Sequence, residues 1–349
     1  MQSIEPYVDP AIGDIEALCG IPSPSGFTAA AARYVADRLA RFAPTLDAKG
    51  GVWCRVAAGV DPSAPAVALS AHFDTLGAMV RSAKPNGRLR FTKVGGYPEL
   101  YLIGHTCRVH TRSGREYEGT FQAANASVHV NNKLADFKAG DETVEIVLDE
   151  PVSKKEDVAA LGISPGDFVS IDARFSRAGS GYIKSRHLDD KAGCGILLAL
   201  ADAIAAGAVL PRRPSYLYFT AYEEVGHGAS FLPEPVADLV SVDMGAVGDD
   251  LECDERKVSI CAKDSGGPYD YVLSGELIDA AKRAGVPFAV DVYPFYGSDA
   301  EAAIRSGYEL RHGLVGPGVY ASHGYERTHR EAISAALGLL AAFLEGGRA

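Results

Sequence analysis

The sequence predicts an α/β protein, with a mostly parallel sheet covered by helices and an inserted β-rich module. Three observations carry this expectation. Short apolar runs alternate with Ala- and Leu-rich helical patterns toward both ends of the chain, as in parallel sheets with helical crossovers. From about residue 78 to about 174 the alternation gives way to strand-like runs punctuated by Asn-Gly, Gly-Gly and Ser-Gly. The length of 349 residues suits about two domains, or one large domain with an insertion.

Taken in order, Gly26–Phe42 carries Tyr34, Val35, Leu39 and Phe42 at helical spacing, after a Pro-Ser-Pro-Ser-Gly breaker. Val52–Ala57 and Ala66–Ser70 read as strands, the second running into Ala71-His72. In the insertion, LRFTKV, CRVHTRSG, REYEGTFQ, TVEIVLDE and DFVSIDARF read as short strands, with no convincing long helix. Helices are then expected at Ala192–Ala206, Tyr271–Ala284, Ser298–Ser306 and Arg330–Leu344, and strands at Ser215–Tyr222, Leu239–Val242 and Phe288–Tyr293. The expected division is a discontinuous α/β domain, 1–77 with 175–349, and an inserted module, 78–174.

Composition narrows the function classes. Hydrophobic residues make up 47% and charged residues 23%, which excludes a disordered chain. A formal charge of −11 argues against nucleic acid and anionic membranes as partners. The first twenty residues lack a basic n-region and an apolar h-region, and no apolar run reaches the roughly 20 residues that span a bilayer. Six cysteines, none in a Cys-x-x-Cys pair, read as reduced buried thiols. A cytoplasmic location is the expectation.

Ligands of open α/β sheets bind beyond the carboxyl ends of the strands. Ala66–Ser70 leads into His72 and Asp74, Ser215–Tyr222 into Glu223-Glu224, and Leu239–Val242 into Asp243. Asp189-Asp190 precedes the helix at 192, where an aspartate is also an ordinary N-cap. His323 stands in a turn near the C-terminus. Singly, each has a bland reading as a turn, a cap or a solvated acidic pair. Together they offer two imidazoles and several carboxylates, a donor set suited to two divalent ions of the zinc type, one carboxylate being able to bridge. Of the adjacent glutamates, one can bind metal while the other stays free as a base.

The motifs Ala71-His72-Phe73-Asp74, Leu188-Asp189-Asp190-Lys191-Ala192-Gly193, Thr220-Ala221-Tyr222-Glu223-Glu224-Val225-Gly226, Val242-Asp243-Met244 and Ser322-His323-Gly324 resemble, in type and order, those of the tetrahedral co-catalytic metallo-aminopeptidases. That family includes glutamyl, leucyl and deblocking enzymes, and some members carry an endoglucanase label. The resemblance covers nearly the whole chain. It implies a zinc-peptidase-like sheet with an inserted barrel-like dimerisation module and assembly of dimers into a dodecamer. It also implies two ions, Zn or Co, with Asp189 bridging, His72 and Asp243 at one ion, and Glu224 and His323 at the other. Glu223 would be the general base. Asp74 would hydrogen-bond His72 and fix its tautomer, and the Asp189-Asp190 peptide bond would be cis.

Thr75, Ser298-Asp299-Ala300 and Gly324-Tyr325 depart from the family pattern, and His329 rivals His323 as a ligand. His187 and His227 flank the motifs and read as supporting groups, while His105, His110, His129 and His312 have no pattern behind them. The expected activity is removal of N-terminal residues from peptides. The alternatives are a carboxypeptidase or acyl-amino-acid hydrolase of the same clan, or a carboxylate-pair glycosidase, which would leave both histidines idle. The insertion, which holds none of the motif residues, is expected to build the oligomer rather than the site, because a strand-rich module has edges to cover.

Overall fold

The computed structural model describes residues 4–57, 60–61, 63–233 and 236–346. The strand Ala66–His72 is buried at every position, and its two faces serve two cores. Val67, Leu69 and Ala71 join Leu217 and Phe219 on one face, while Ala66 and Ala68 join Tyr216 and Tyr218 on the other. Side chains alternate across a strand with period two, so a sheet covered on both faces needs a nearly continuous apolar run. Full burial of each such Val, Leu or Phe is worth about 1.5–3 kcal/mol.

Four parallel strands form the centre of a twelve-stranded sheet, in the order Ser215–Thr220, Ala66–His72, Val236–Val242 and Arg311–Tyr320. Antiparallel strands flank them: Val52–Arg55 on one side, Glu326–His329 and Tyr182–Ser185 on the other. The helices Val8–Cys19, Ala29–Arg38, Leu188–Ala205, Tyr271–Ala284 and Arg330–Glu345 bury their apolar faces in the larger core. The short helix Asp299–Arg305 packs Ala300 and Ala303 on the opposite face.

The insertion forms a closed six-stranded antiparallel barrel. Its order is Gly77–Ala83, Leu89–Val94, Val144–Leu148, Glu116–Ala123, Thr106–His110 and Phe168–Ile171, the last pairing back with the first. It has its own core around Leu89, Phe91, Val109, Phe121, Ile146 and Val169. Closure removes most of the free sheet edge, although Leu89–Val94 and Val144–Leu148 are joined through the Leu89–Ile146 pair alone, so strand-edge pairing is no longer the main reason to expect a partner.

The helix expected over Gly26–Phe42 is shorter, Ala29–Arg38, followed by a 3-10 turn at Ala40–Phe42. The Val8–Cys19 helix and the Arg311–Tyr320 strand were not anticipated. All six cysteines are free and buried. Among the described residues no helix is long and apolar enough to cross a membrane.

Candidate metal centre

The carboxyl ends of the four central strands lie along one edge of the sheet, and the motif residues gather there. His72 is the last residue of its strand. Glu223 and Glu224 occupy a 3-10 turn just after Ser215–Thr220, entered through Tyr222 at φ 70°. Asp243 directly follows Val236–Val242, and His323 lies three residues beyond Arg311–Tyr320. The Asp189-Asp190 peptide bond is cis.

Asp189 stands between the two imidazoles. Its Oδ1 is 3.1 Å from His72 Nε2, and its Oδ2 is 3.3 Å from His323 Nε2. Around His72 Nε2 lie Glu223 Oε2 at 3.7 Å and Asp243 Oδ1 at 4.0 Å. Glu224 Oε2 is 3.8 Å from His323 Nε2. Two sets of donors come within 4.8 Å of one another: His72 with Asp189 and Glu224, and His72 with Asp190 and Asp243. Asp190 is the weaker donor, because both its oxygens are engaged by main-chain N–H groups. Gly193 donates to Oδ1 at 2.9 Å and His72 donates to Oδ2 at 3.2 Å. Asp189 and Asp190 are non-helical at the start of Leu188–Ala205; Asp190 caps the regular helix that follows, in keeping with the ordinary reading of an aspartate there, and Asp189 faces the imidazoles.

The imidazole tautomers are set by carbonyls, which only accept. His72 Nδ1 donates to the Asp74 main-chain oxygen at 3.0 Å, and His323 Nδ1 donates to the Gly96 carbonyl. With Nδ1 held as the donor, Nε2 is the nitrogen left to bind metal once the ring gives up its second proton. The expected contact from the Asp74 carboxylate is replaced by this backbone contact, its Oδ1 lying 3.6 Å from His72 Nδ1. That carboxylate instead accepts the N–H groups of Glu223 at 3.1 Å and Glu224 at 3.3 Å, and the Ser25 hydroxyl. It therefore holds the Glu-Glu turn.

The donor set fits divalent cations. Burial above all, with the charge of Asp243 adding to it and His72 opposing it, holds Glu223 well above the usual carboxylate range. Burial and Asp189 do the same for Glu224, and push Asp243 up to about 7. Burial disfavours charge on His323, but Asp189 outweighs it and raises the imidazole to about 10. Buried like charges at this density call for positive charge among them. Glu224 Oε1 is buried with no hydrogen-bond partner, an acceptor left for a cation.

His329 is not a rival ligand: its Nε2 donates to Ser180 O at 2.8 Å, and its Nδ1 accepts from Glu331 N–H at the start of the last helix. His187 Nε2 donates to Ile171 O at 3.0 Å, and His227 stacks on Tyr222. Neither joins the centre. Asp299 accepts from the Thr220 hydroxyl and from Ala229 N–H, bracing the loop after the Glu-Glu turn. Glu326 was missed. It is 2% exposed and takes the N–H groups of Asp189 at 3.1 Å and His323 at 3.0 Å. A cleft of about 900 Å³ opens on Asp189, Glu223 and Glu224. Its walls include Gly96, Pro98 and Tyr101, together with Phe295, Tyr296 and Arg305. The first three belong to the insertion, so that module helps to build the site, contrary to expectation.

The family model described as M42 glutamyl aminopeptidase matches residues 50–339. The chain belongs to the M42 glutamyl aminopeptidase family. As an M42 member it is a metal-dependent aminopeptidase, a hydrolase of peptide bonds. It is 41% identical over 322 residues to the Bacillus subtilis protein YhfE, which carries an aminopeptidase name, covering 91% of this chain and 92% of that one. Among solved structures, the TET aminopeptidase of a marine sediment Thaumarchaeota archaeon superposes with a TM-score of 0.85 at 17% identity, over 97% of this chain and 96% of that one. The Pyrococcus horikoshii TET1 peptidase, described as assembling into a tetrahedron or a large octahedral shell, gives 0.82 at 22% identity, over 96% and 99%. Both likenesses are of fold.

Proposed function

We propose that this M42 aminopeptidase works with two divalent ions, zinc or cobalt in type. His72, Asp189 and Asp243 would hold one, and His323, Asp189 and Glu224 the other. The observation that carries this reading is the Asp189 carboxylate, with one oxygen facing each imidazole. Bound ions supply Lewis acidity at neutral pH, polarising a carbonyl and lowering the pKa of water from about 16 to about 7.

The protein's own residues do the rest. Glu223 takes a proton from the attacking water and passes it to the leaving nitrogen as the C–N bond breaks. Asp74 fixes Glu223 by its main-chain N–H. The cleft receives a peptide with its free amine toward the carboxylates, so N-terminal residues are removed one at a time. Its wall from the insertion limits the approach of bulky chains. Assembly of dimers through the barrel into a dodecamer extends this reading, and is supported by the likeness to TET structures. Buried free cysteines suit a cytoplasmic setting.

The test uses aminoacyl substrates and their N-acetylated counterparts, before and after chelation. Activity on free amines alone, lost with the metal and restored by Zn²⁺ or Co²⁺, supports the reading. Hydrolysis that survives metal removal overturns it.

A further inference from the structure

We infer that Arg186 is a positioning residue that fastens His323 to the inserted barrel, so that the second half of the metal centre depends on the barrel loop 96–101. The inference rests on the reading of His323 as a ligand.

His323 is the least supported member of the centre. Its side chain is 35% exposed, against 2% for His72. It sits in a turn at φ 64°, a left-handed conformation that residues other than glycine seldom adopt. No strand pairing holds it, and polar tethers take over that task. Its N–H goes to Glu326 Oε1, its Nδ1 to the Gly96 carbonyl, and its own carbonyl accepts Arg186 Nη2 at 3.2 Å.

Arg186 is costly to place there. It is 1% exposed and heads the fully buried side chains by volume. A buried guanidinium persists only where hydrogen bonds and an opposing charge compensate it. Nη1 donates to the Tyr101 carbonyl at 3.0 Å, Nη2 donates to the His323 carbonyl, and Nε has no partner.

A residue needed only to fill this space would be apolar. This one joins two main-chain carbonyls, one in the barrel loop and one on a metal-centre residue. The same loop grips the imidazole through Gly96. These two grips, at Gly96 and Tyr101, tie His323 to the barrel loop, beside its tether to Glu326 on the sheet. His72 and Asp243 stand on the sheet and have no such dependence.

The test is calorimetric titration of the metal-free full-length protein with Co²⁺ alone, for wild type, Arg186→Met, Arg186→Lys and His323→Ala. Arg186→Met is expected to bind one ion as wild type does and the second 10–100-fold more weakly, the usual cost of removing a group that orients a ligand. Arg186→Lys, which keeps the charge but reaches one carbonyl well, is expected to fall between them. His323→Ala is expected to lose the second ion. Two wild-type affinities in Arg186→Met, with only a lower Tm, would overturn the inference. If Arg186→Met does not fold, Arg186→Lys decides, and wild-type binding by it overturns the inference. If His323→Ala itself binds both ions as wild type does, the ligand reading fails instead, and the inference falls with it.

Discussion

Adjacent in the chain, Glu223 and Glu224 meet different surroundings. Glu223 Oε2 approaches His72, while Glu224 Oε2 approaches His323 and its Oε1 has no partner. Glu223→Gln should therefore keep the metal and lower kcat by about 10²–10⁴, the range for a lost general base. Glu224→Gln should lower metal content first. Metal analysis beside steady-state kinetics checks both, and the reverse pattern would exchange the two roles. Far from the centre, Asp238 is clasped by Arg311 through two bonds of 2.7 and 2.8 Å and by Arg213. Burial works to raise this carboxyl, but the arginines outweigh it and hold it below the usual range. A depressed folded-state pKa stabilises above the unfolded value near 3.9, and that share is lost as pH falls through the folded value. Asp238→Asn should cost about 3 kcal/mol near neutrality, a gap that closes below about pH 4 in denaturant titrations. At this scale the sequence was informative where motif residues sit at strand ends. The Asp-Asp pair was ambiguous because it performs two tasks, with Asp190 capping and Asp189 facing the imidazoles. Glu326 gave no signal, because its task is to accept main-chain N–H groups that only the folded turn brings together.

The helices Val8–Cys19 and Leu188–Ala205 cross closely at Gly195, where an added Cβ would lie 2.5 Å from Ile15 Cγ1 and 2.7 Å from the Ala11 carbonyl oxygen. Alanine usually improves a helix interior by about 1 kcal/mol over glycine. Gly195→Ala should nonetheless destabilise, by about 1–3 kcal/mol, because a backbone atom must move. Gly275, inside Tyr271–Ala284, meets nothing within 4 Å, so Gly275→Ala should stabilise by about 0.5–1 kcal/mol. Thermal unfolding of the two variants gives opposite signs if the packing is as described. Elements with clean periodicity were legible, Tyr271–Ala284 to the residue. The Arg311–Tyr320 strand was hidden by Gly313, Gly316, Pro317 and Gly318, which usually break strands. Gly316 is required where it stands, since a Cβ there would lie 1.8 Å from the Asp243 carbonyl oxygen. The Val8–Cys19 helix was passed over because Pro10 and Gly13 blur its pattern.

At the scale of the molecule, the change of texture after residue 77 marked the barrel, because short alternating runs are a local property. That its loop 96–101 folds back over the sheet edge is a tertiary fact with no local signature. With the barrel closed, the proposed assembly rests on surfaces rather than strand edges. Light scattering of the full chain should report a mass of many subunits, and replacing residues 78–174 with a Gly/Ser linker should reduce it. A native chain that is monomeric at micromolar concentration would end the dodecamer proposal. The central claim is that one carboxylate on this sheet edge serves two ions, and the stoichiometry of tightly bound metal in Asp189→Ala tests it most directly. Two equivalents per chain in wild type, falling to one or none in the folded variant, is the predicted result. Two equivalents retained in Asp189→Ala would contradict it.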